Sequence, residues 1–490
     1  MFAKLCGGIS LVWLLSGCAV GPDFVRPDAP TATHYTNSAD PVATATAEGT
    51  TQHFIPGAQV DADWWRLFKS PRLDAVIADA LANNPGLAAA QASLKAAQDN
   101  LRSGYGIFYP QVGADFGASR QLSSPVKSGL NFPSSTFNLY SLSGTVSYTL
   151  DLFGGERRAV ESLSAQADVQ RATEQATYLT LSSNIADTVI AEAAYRAEIK
   201  ATKELIDLEK QQVALTKVQA RAGTVPYSNV LSVQSQLATY EATIPGLEQK
   251  LTQSDDLLAT LVGHAPAEWK PPTIELADLT LPSDLPVSLP SDLVRQRPDI
   301  LAAEATAHSA SAEIGVATAA MLPNFTLNGS YGTNSTAMNT LFAASGNFWS
   351  LGANITQPIF EGGTLWFKRK AAIDNYKQTM ALYRQTALGA FQQVADTLRA
   401  LDNDAKILAA DQEAQAAAKE ALHLVQTNYQ AGLNTYLDVI NADAQYHQAI
   451  INELQAEAVR YQDTVALFAA LGGGWWNAPT KSADARGPNG

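Results

Sequence analysis

The amino-acid sequence predicts a mainly α-helical chain that carries a transmembrane kind of β-strand, with the whole arrangement laid down twice. Three observations predict that class. Two very long stretches are almost free of Pro and Gly. Several shorter stretches alternate between polar and apolar residues, and an ordered set of landmarks from the first half recurs in the second.

Residues 1–17 hold one cation, Lys4, then an apolar stretch from Ile9 to Leu15, then Ser16-Gly17 before Cys18. That is the layout of a secretory signal peptide. The apolar stretch is too short to cross a bilayer, which takes about 20 residues. Cleavage there removes Cys6 and leaves Cys18 as the only cysteine, so packing without an internal disulfide must hold the exported chain. Leu15-Ser16-Gly17-Cys18 resembles the bacterial lipobox, which implies a covalent lipid on Cys18. Ala19, rather than Asp, implies sorting to the outer membrane. Several acyl chains anchor stably where one does not. No later stretch is apolar enough for a transmembrane helix, so if the chain enters a membrane it does so as strands. A net charge of −14 excludes the basic face that nucleic-acid binding needs.

Residues 18–72 form the lipidated N-terminal segment, and repeat 1 runs over 73–263. Asn84-Pro85-Gly86-Leu87-Ala88-Ala89-Ala90 returns as Arg297-Pro298-Asp299-Ile300-Leu301-Ala302-Ala303. A second Pro follows 25 residues after the first in both copies, at Pro110 and Pro323. Each copy then has two alternating stretches, a double glycine (Gly154-Gly155, Gly362-Gly363) and a long breaker-poor run. From Ala222-Gly223-Thr224 and Ala431-Gly432-Leu433 onward the copies match without a gap at an offset of 209, pairing Tyr227 with Tyr436 and Gly263 with Gly472. Repeats of this kind decide the fold before any single element does.

The alternating stretches predict a strand pair at about 111–152 and another at about 324–360. Asn324 to Tyr331 and Ser141 to Leu150 place polar residues at every second position, so each strand has one apolar and one polar face. That dyad pattern, with aromatics near the strand ends (Phe108, Tyr109, Tyr140, Phe348, Trp349), is the signature of a transmembrane barrel. Four strands cannot close one, and an open edge in lipid leaves amides unsatisfied. Bacterial barrels have at least eight strands, so two, three or four copies satisfy the requirement.

Glu156 to Arg221 contains neither Pro nor Gly, which predicts a helix about 100 Å long at 1.5 Å per residue. Its counterpart spans 364–431, broken only by Gly389. Ile185, Ile199, Ile206 and Val213 follow a seven-residue spacing that Glu192 interrupts, a coiled-coil signal. Shorter helices are predicted at 227–262 and 435–471. A Pro-rich linker covers 264–290, repeat 2 covers 291–472, and 473–490 is a C-terminal tail.

These features resemble the TolC-like outer membrane factors, most closely their lipoprotein branch of OprM-like or NodT-type efflux channels. The matching residues are Gly17 to Phe24, Trp64-Trp65-Arg66-Leu67-Phe68, Leu73-Asp74 with Ala80-Leu81 and Asn84-Pro85, and Leu293 to Glu304. The resemblance implies a homotrimer with a 12-stranded barrel continuous with a helical barrel. It implies an equatorial belt built from the N-terminal segment, the linker and the region of Trp475 and Trp476. It also implies a passive exit duct from periplasm to exterior, docked on a periplasmic adaptor and through it on an inner-membrane transporter, RND-type. The family closes the periplasmic tip with carboxylates after the second helical turn. Asp438 matches the first gate Asp, Asn441 replaces a second acidic residue, and Asn434 replaces a basic brace. The adaptor is expected at the turns, on Gly223, Thr224, Gly432 and Leu433. No catalytic residue, metal site or cofactor is expected: the six histidines have no metal spacing, and no HExxH, GxSxG or phosphate-binding glycine loop occurs. A general porin and a pore-less, lipid-anchored coiled-coil scaffold are the competing readings.

Overall fold

The structure, a computed structural model, describes residues 19–37, 39–124 and 133–477. The leader, Cys18 and the tail beyond residue 477 lie outside the described residues. The elements, in order, are β1 (His53–Pro56), α1 (Pro71–Asn83), α2 (Pro85–Gly104), β2 (Gln111–Ser123), β3 (Ser135–Leu150), α3 (Gly155–Arg221) and α4 (Tyr227–Val262). The second half has β4 (Asp284–Val287), α5 (Pro290–Gln296), α6 (Pro298–Ala319), β5 (Asn324–Ser335), β6 (Asn347–Thr356), α7 (Thr364–Gln430) and α8 (Tyr436–Ala470). The chain divides into two compact units.

One unit gathers Met1–Pro27, Ser93–Arg171 and Ala302–Arg384. Its centre is a sheet of order β2-β3-β5-β6, antiparallel throughout. The alternation read along each strand stays in phase across the sheet. Val112 pairs with Val146, Val146 with Gly329, and Gly329 with Leu351. One residue along, Gly113, Thr145, Ser330 and Ser350 form the neighbouring row on the other face. There Ser330 and Ser350 hydroxyls lie 2.8 Å apart. A one-residue slip would mix the faces, so the common register makes one apolar and one polar surface. Val112, Phe116, Trp349, Leu351 and Ile355 are exposed on the apolar one.

The other unit gathers Asp28–Ala92, Ala172–Leu301 and Gln385–Gly490. Ile185, Ile199, Ile206 and Val213 are all buried, as their spacing requires. Glu192, which breaks the spacing, is buried too. Burial and then Asp255 push its carboxyl up to about 8, against the pull of Arg196, 3.4 Å away. The repeated Asn84 and Arg297 do the same work in each copy. Asn84 Nδ2 donates to the Leu261 carbonyl at 2.8 Å, and Arg297 Nη1 donates to the Ala470 carbonyl at 2.7 Å. Leu261 and Ala470 stand at the repeat offset, so each side chain satisfies an orphan carbonyl at the end of a returning helix.

The segments expected in the belt do meet within this unit. β1 pairs in parallel with β4 of the linker. Trp64 stacks on Phe468 at 5.3 Å, and Trp475 Nε1 donates to the Gln296 carbonyl at 2.7 Å. Arg460, fully buried, donates to Gln52 Oε1 and to the carbonyls of Ala47 and Thr50. Those direct hydrogen bonds thus go to amide and carbonyl oxygens, while the charges of Glu48 and Asp404 act on it without a direct bond.

Candidate functional site

The segment after Cys18 is pinned where β3 meets α3. Val20 N–H donates to the Phe153 carbonyl at 2.9 Å. Asp23 pairs with Arg158 at 2.6 Å, Phe24 stacks on His308 at 4.5 Å, and Arg26 pairs with Glu304 at 2.7 Å. Gly154 has φ +77°, and a Cβ there would fall 2.6 Å from Ala19. Only glycine satisfies both the left-handed backbone and that approach. Ala19, the neighbour of the lipidation candidate, therefore lies at a strand–helix junction; Cys18 itself is outside the described residues.

At the far ends of the long helices the two turns are built alike. Thr224 N–H donates to the Gln219 carbonyl at 3.0 Å and Gly223 N–H to Ala220 at 3.1 Å. Leu433 donates to Asn428 at 2.8 Å and Gly432 to Tyr429 at 3.0 Å. These are paired Schellman caps, with Gly223 at φ +73° and Gly432 at φ +77°. Gly223, Thr224, Gly432 and Leu433 are all exposed, and space is open where a Cβ would stand on either glycine.

The turns differ one residue later. In the second, Thr435 and Asp438 form a capping box: Asp438 Oδ2 accepts from Thr435 N–H and from its hydroxyl, each at 2.7 Å. Asn434 Nδ2 adds a longer contact of 3.4 Å. The Thr435 hydroxyl and N–H, then Asn434, hold the Asp438 carboxyl below its usual range. In the first turn Pro226 takes the place of Thr435 and has no N–H to offer, and Asn229 stands where Asp438 does. The structure thus brings together Asp438 and Asn434. Asn441, exposed on the next turn of α8, is not part of that network.

Above the turns, Val213, Val233, Tyr436 and Val439 form a buried cluster with Leu237, Val425, Tyr429 and Ile440 packed on it. Beyond it stands a group that the sequence alone did not reveal. Tyr240 Oη donates to Asp443 Oδ2 at 3.1 Å, and its ring lies 4.8 Å from His447. Burial, then Asp443, pushes Glu209 up to about 8; burial also raises Asp443 and lowers His447. Burial thus favours the protonated form at both carboxyls of the pair. The Thr435–Asp438 spacing is the signal in the sequence for the box; Glu209 and Asp443 carry none, because their burial depends on which helices meet.

A family model described as outer membrane efflux protein matches residues 76–264 and 289–473, one match for each copy. The chain belongs to that family. It is 31% identical over 429 residues to the pyoverdine export outer membrane protein OpmQ of Pseudomonas putida, covering 86% of this chain and 90% of that one. It is 26% identical over 476 residues to the probable outer membrane lipoprotein SilC of Salmonella typhimurium, covering 97% and 100%. Among solved structures, the outer-membrane channel OprN superposes with a TM-score of 0.85 at 26% identity, covering 94% of this chain and all of that one. The fold is therefore the TolC-like one, with its internal duplication. The protein is the outer-membrane channel component of an efflux or export system, and not an enzyme.

Proposed function

We propose that three copies close their sheets into a 12-stranded barrel, anchored by lipid on Cys18, and that the helical turns carry both the gate and the adaptor contact. One observation carries this reading. The sheet ends in β2 and β6, each with a single partner, while its apolar face runs in register across all four strands. Such a sheet is stable in lipid only when copies join edge to edge, because unpaired amides there cost several kcal/mol each. Three copies satisfy the eight-strand minimum and are the number that the resemblance to TolC-like factors implies. The position of Ala19 at the strand–helix junction supports the anchor, as does the lipoprotein description of SilC.

The duct is passive, so cargo is chosen elsewhere. A periplasmic adaptor seats on Gly223, Thr224, Gly432 and Leu433, where exposed backbone caps offer two similar surfaces per copy. Through it the duct couples to an inner-membrane transporter of RND type. Asp438, with Asn434 and Asn441 nearby, rings the axis at the tip, where carboxylates repel anions and hold cations. Pyoverdine export by OpmQ makes pyoverdine one candidate cargo.

Native mass spectrometry of the purified membrane protein tests the assembly. The expected species is a trimer carrying one acylated N-terminus per chain. A monomer or dimer, or an unmodified Cys18, overturns the corresponding half of the reading.

A further inference from the structure

The duplication supplies an internal control for the place where sheet gives way to long helix. In the first copy that junction is covered. Leu152 and Phe153 are half-buried, Arg157 pairs with Asp151 at 3.1 Å, and Arg158 pairs with Asp23 and Glu161. In the second copy the double glycine Gly362-Gly363 matches Gly154-Gly155, and Ile359 stands where the first copy has Asp151.

There the surface is open. Ile359 and Phe360 are each 89% exposed, Phe367 is 62% exposed and Trp366 46%. They follow β6 in the chain, on whose apolar face Trp349, Leu351 and Ile355 are exposed. Beyond them come three cations, Lys368, Arg369 and Lys370. Arg369 turns inward and donates to Thr318 Oγ1 at 3.1 Å. Lys370 stands 4.3 Å over the Trp366 ring, whose edge meets Phe367 at 81°. Among the described residues neither Lys368 nor Lys370 has a carboxylate at ion-pair distance; Asp374, which Lys370 influences, is paired with Lys377 at 2.9 Å.

We infer that this junction is a docking surface for the headgroup of an anionic phospholipid in the periplasmic-side leaflet. All four strand ends that lead to helices lie at this end of the sheet. The patch therefore begins where the hydrocarbon layer stops. Trp settles at that depth with its ring in the apolar part and its N–H outward. Lysine lays its stem along apolar surface and presents the ammonium at headgroup level. Ile359, Phe360 and Phe367 then enter the acyl region, Trp366 marks the boundary, and Lys368 and Lys370 meet the phosphate. The Trp366 ring steers the Lys370 ammonium, since a cation over an indole face is attracted to it. Two positive charges favour a headgroup with net negative charge over a zwitterionic one, whose own amine competes for the phosphate.

The test is native mass spectrometry of the full-length protein in its native oligomer, with phosphatidylglycerol or phosphatidylethanolamine added at equal concentration. The wild type is expected to retain phosphatidylglycerol several-fold more than phosphatidylethanolamine. Lys368→Gln with Lys370→Gln should bring the two to near parity, while Lys368→Arg with Lys370→Arg keeps the preference. Arg157→Gln in the first copy should leave it unchanged. Equal retention of the two lipids by the wild type overturns the inference, as does a preference that survives the glutamine pair. If Trp366→Ala splits the oligomer while lipid retention stays at the wild-type level, a second copy of the chain covers the patch instead, and the inference fails.

Discussion

The first copy of the repeat has its strand–helix junction wrapped by the N-terminal segment, and the second has its junction bare. Asp23, Phe24 and Arg26 clamp the segment onto Arg158, His308 and Glu304, and among the described residues nothing of that kind lies on Ile359 or Phe360. At the far turns the contrast is reversed. The second turn is tied by a capping box, and the first opens its returning helix with Pro226. What the copies share is what the backbone itself needs: a glycine in the left-handed region at each reversal, and a side chain that satisfies the last carbonyls of each returning helix. Where the backbone is indifferent, the copies have taken separate tasks.

The largest effect expected from this contrast is on anchoring. Cys18→Ser should abolish acylation and release the protein from outer-membrane fractions, which palmitate labelling and fractionation measure directly. Labelling that persists in the variant contradicts the assignment of the wrapped junction to the anchor.

The shared carbonyl supports should differ in weight. Arg297 also bonds Asp299 and Gln393, so Arg297→Ala should cost about 2–3 kcal/mol, the scale of hydrogen bonds to a charged group. Asn84→Ala, which removes neutral bonds, should cost about 1 kcal/mol. Denaturant unfolding of both variants checks the ranking; equal losses would show that the charge of Arg297 and its bonds to Asp299 and Gln393 add nothing to the shared support.

At the turns, valine in place of Gly223 or Gly432 forces a left-handed side chain at roughly 1–2 kcal/mol per residue. A Cβ on either glycine stands in open space, so oligomers should survive while efflux fails. Efflux that persists with both substitutions places the adaptor elsewhere.

A smaller effect concerns pH. Burial raises the Glu209 carboxyl to about 8 in the folded chain, against about 4.3 in an unfolded one. The folded state then binds more protons between those values, so stability falls as pH rises from about 4 to about 8 and levels off above. Glu209→Gln should flatten the slope of melting temperature against pH. An unchanged slope removes Glu209 from the account.

Much of this architecture was legible before the structure. Period-two alternation located the strands, and the rarity of Pro and Gly located the long helices, because both patterns are local and repeated. Pro245 shows the limit of such rules: it sits inside α4, and the helix continues through it. The purpose of Asn84 was invisible, since its partner carbonyl lies 177 residues away. Glu209 and Asp443 were missed for the same reason, because burial of an acid is set by which helices meet. Asp438 shows a different difficulty. The same carboxylate serves as a local cap, which spacing reveals, and as a candidate pore charge, which depends on other copies of the chain.

That double role is where the central claim is most directly tested, by single-channel conductance in planar bilayers. The wild type should insert as uniform steps that divalent cations block. Asp438→Ala should raise the conductance modestly and weaken the block, and Asn229→Ala, its counterpart at the first turn, should leave the block unchanged. Absence of channels, or a block that Asp438→Ala does not alter, would contradict a duct gated at the second turn.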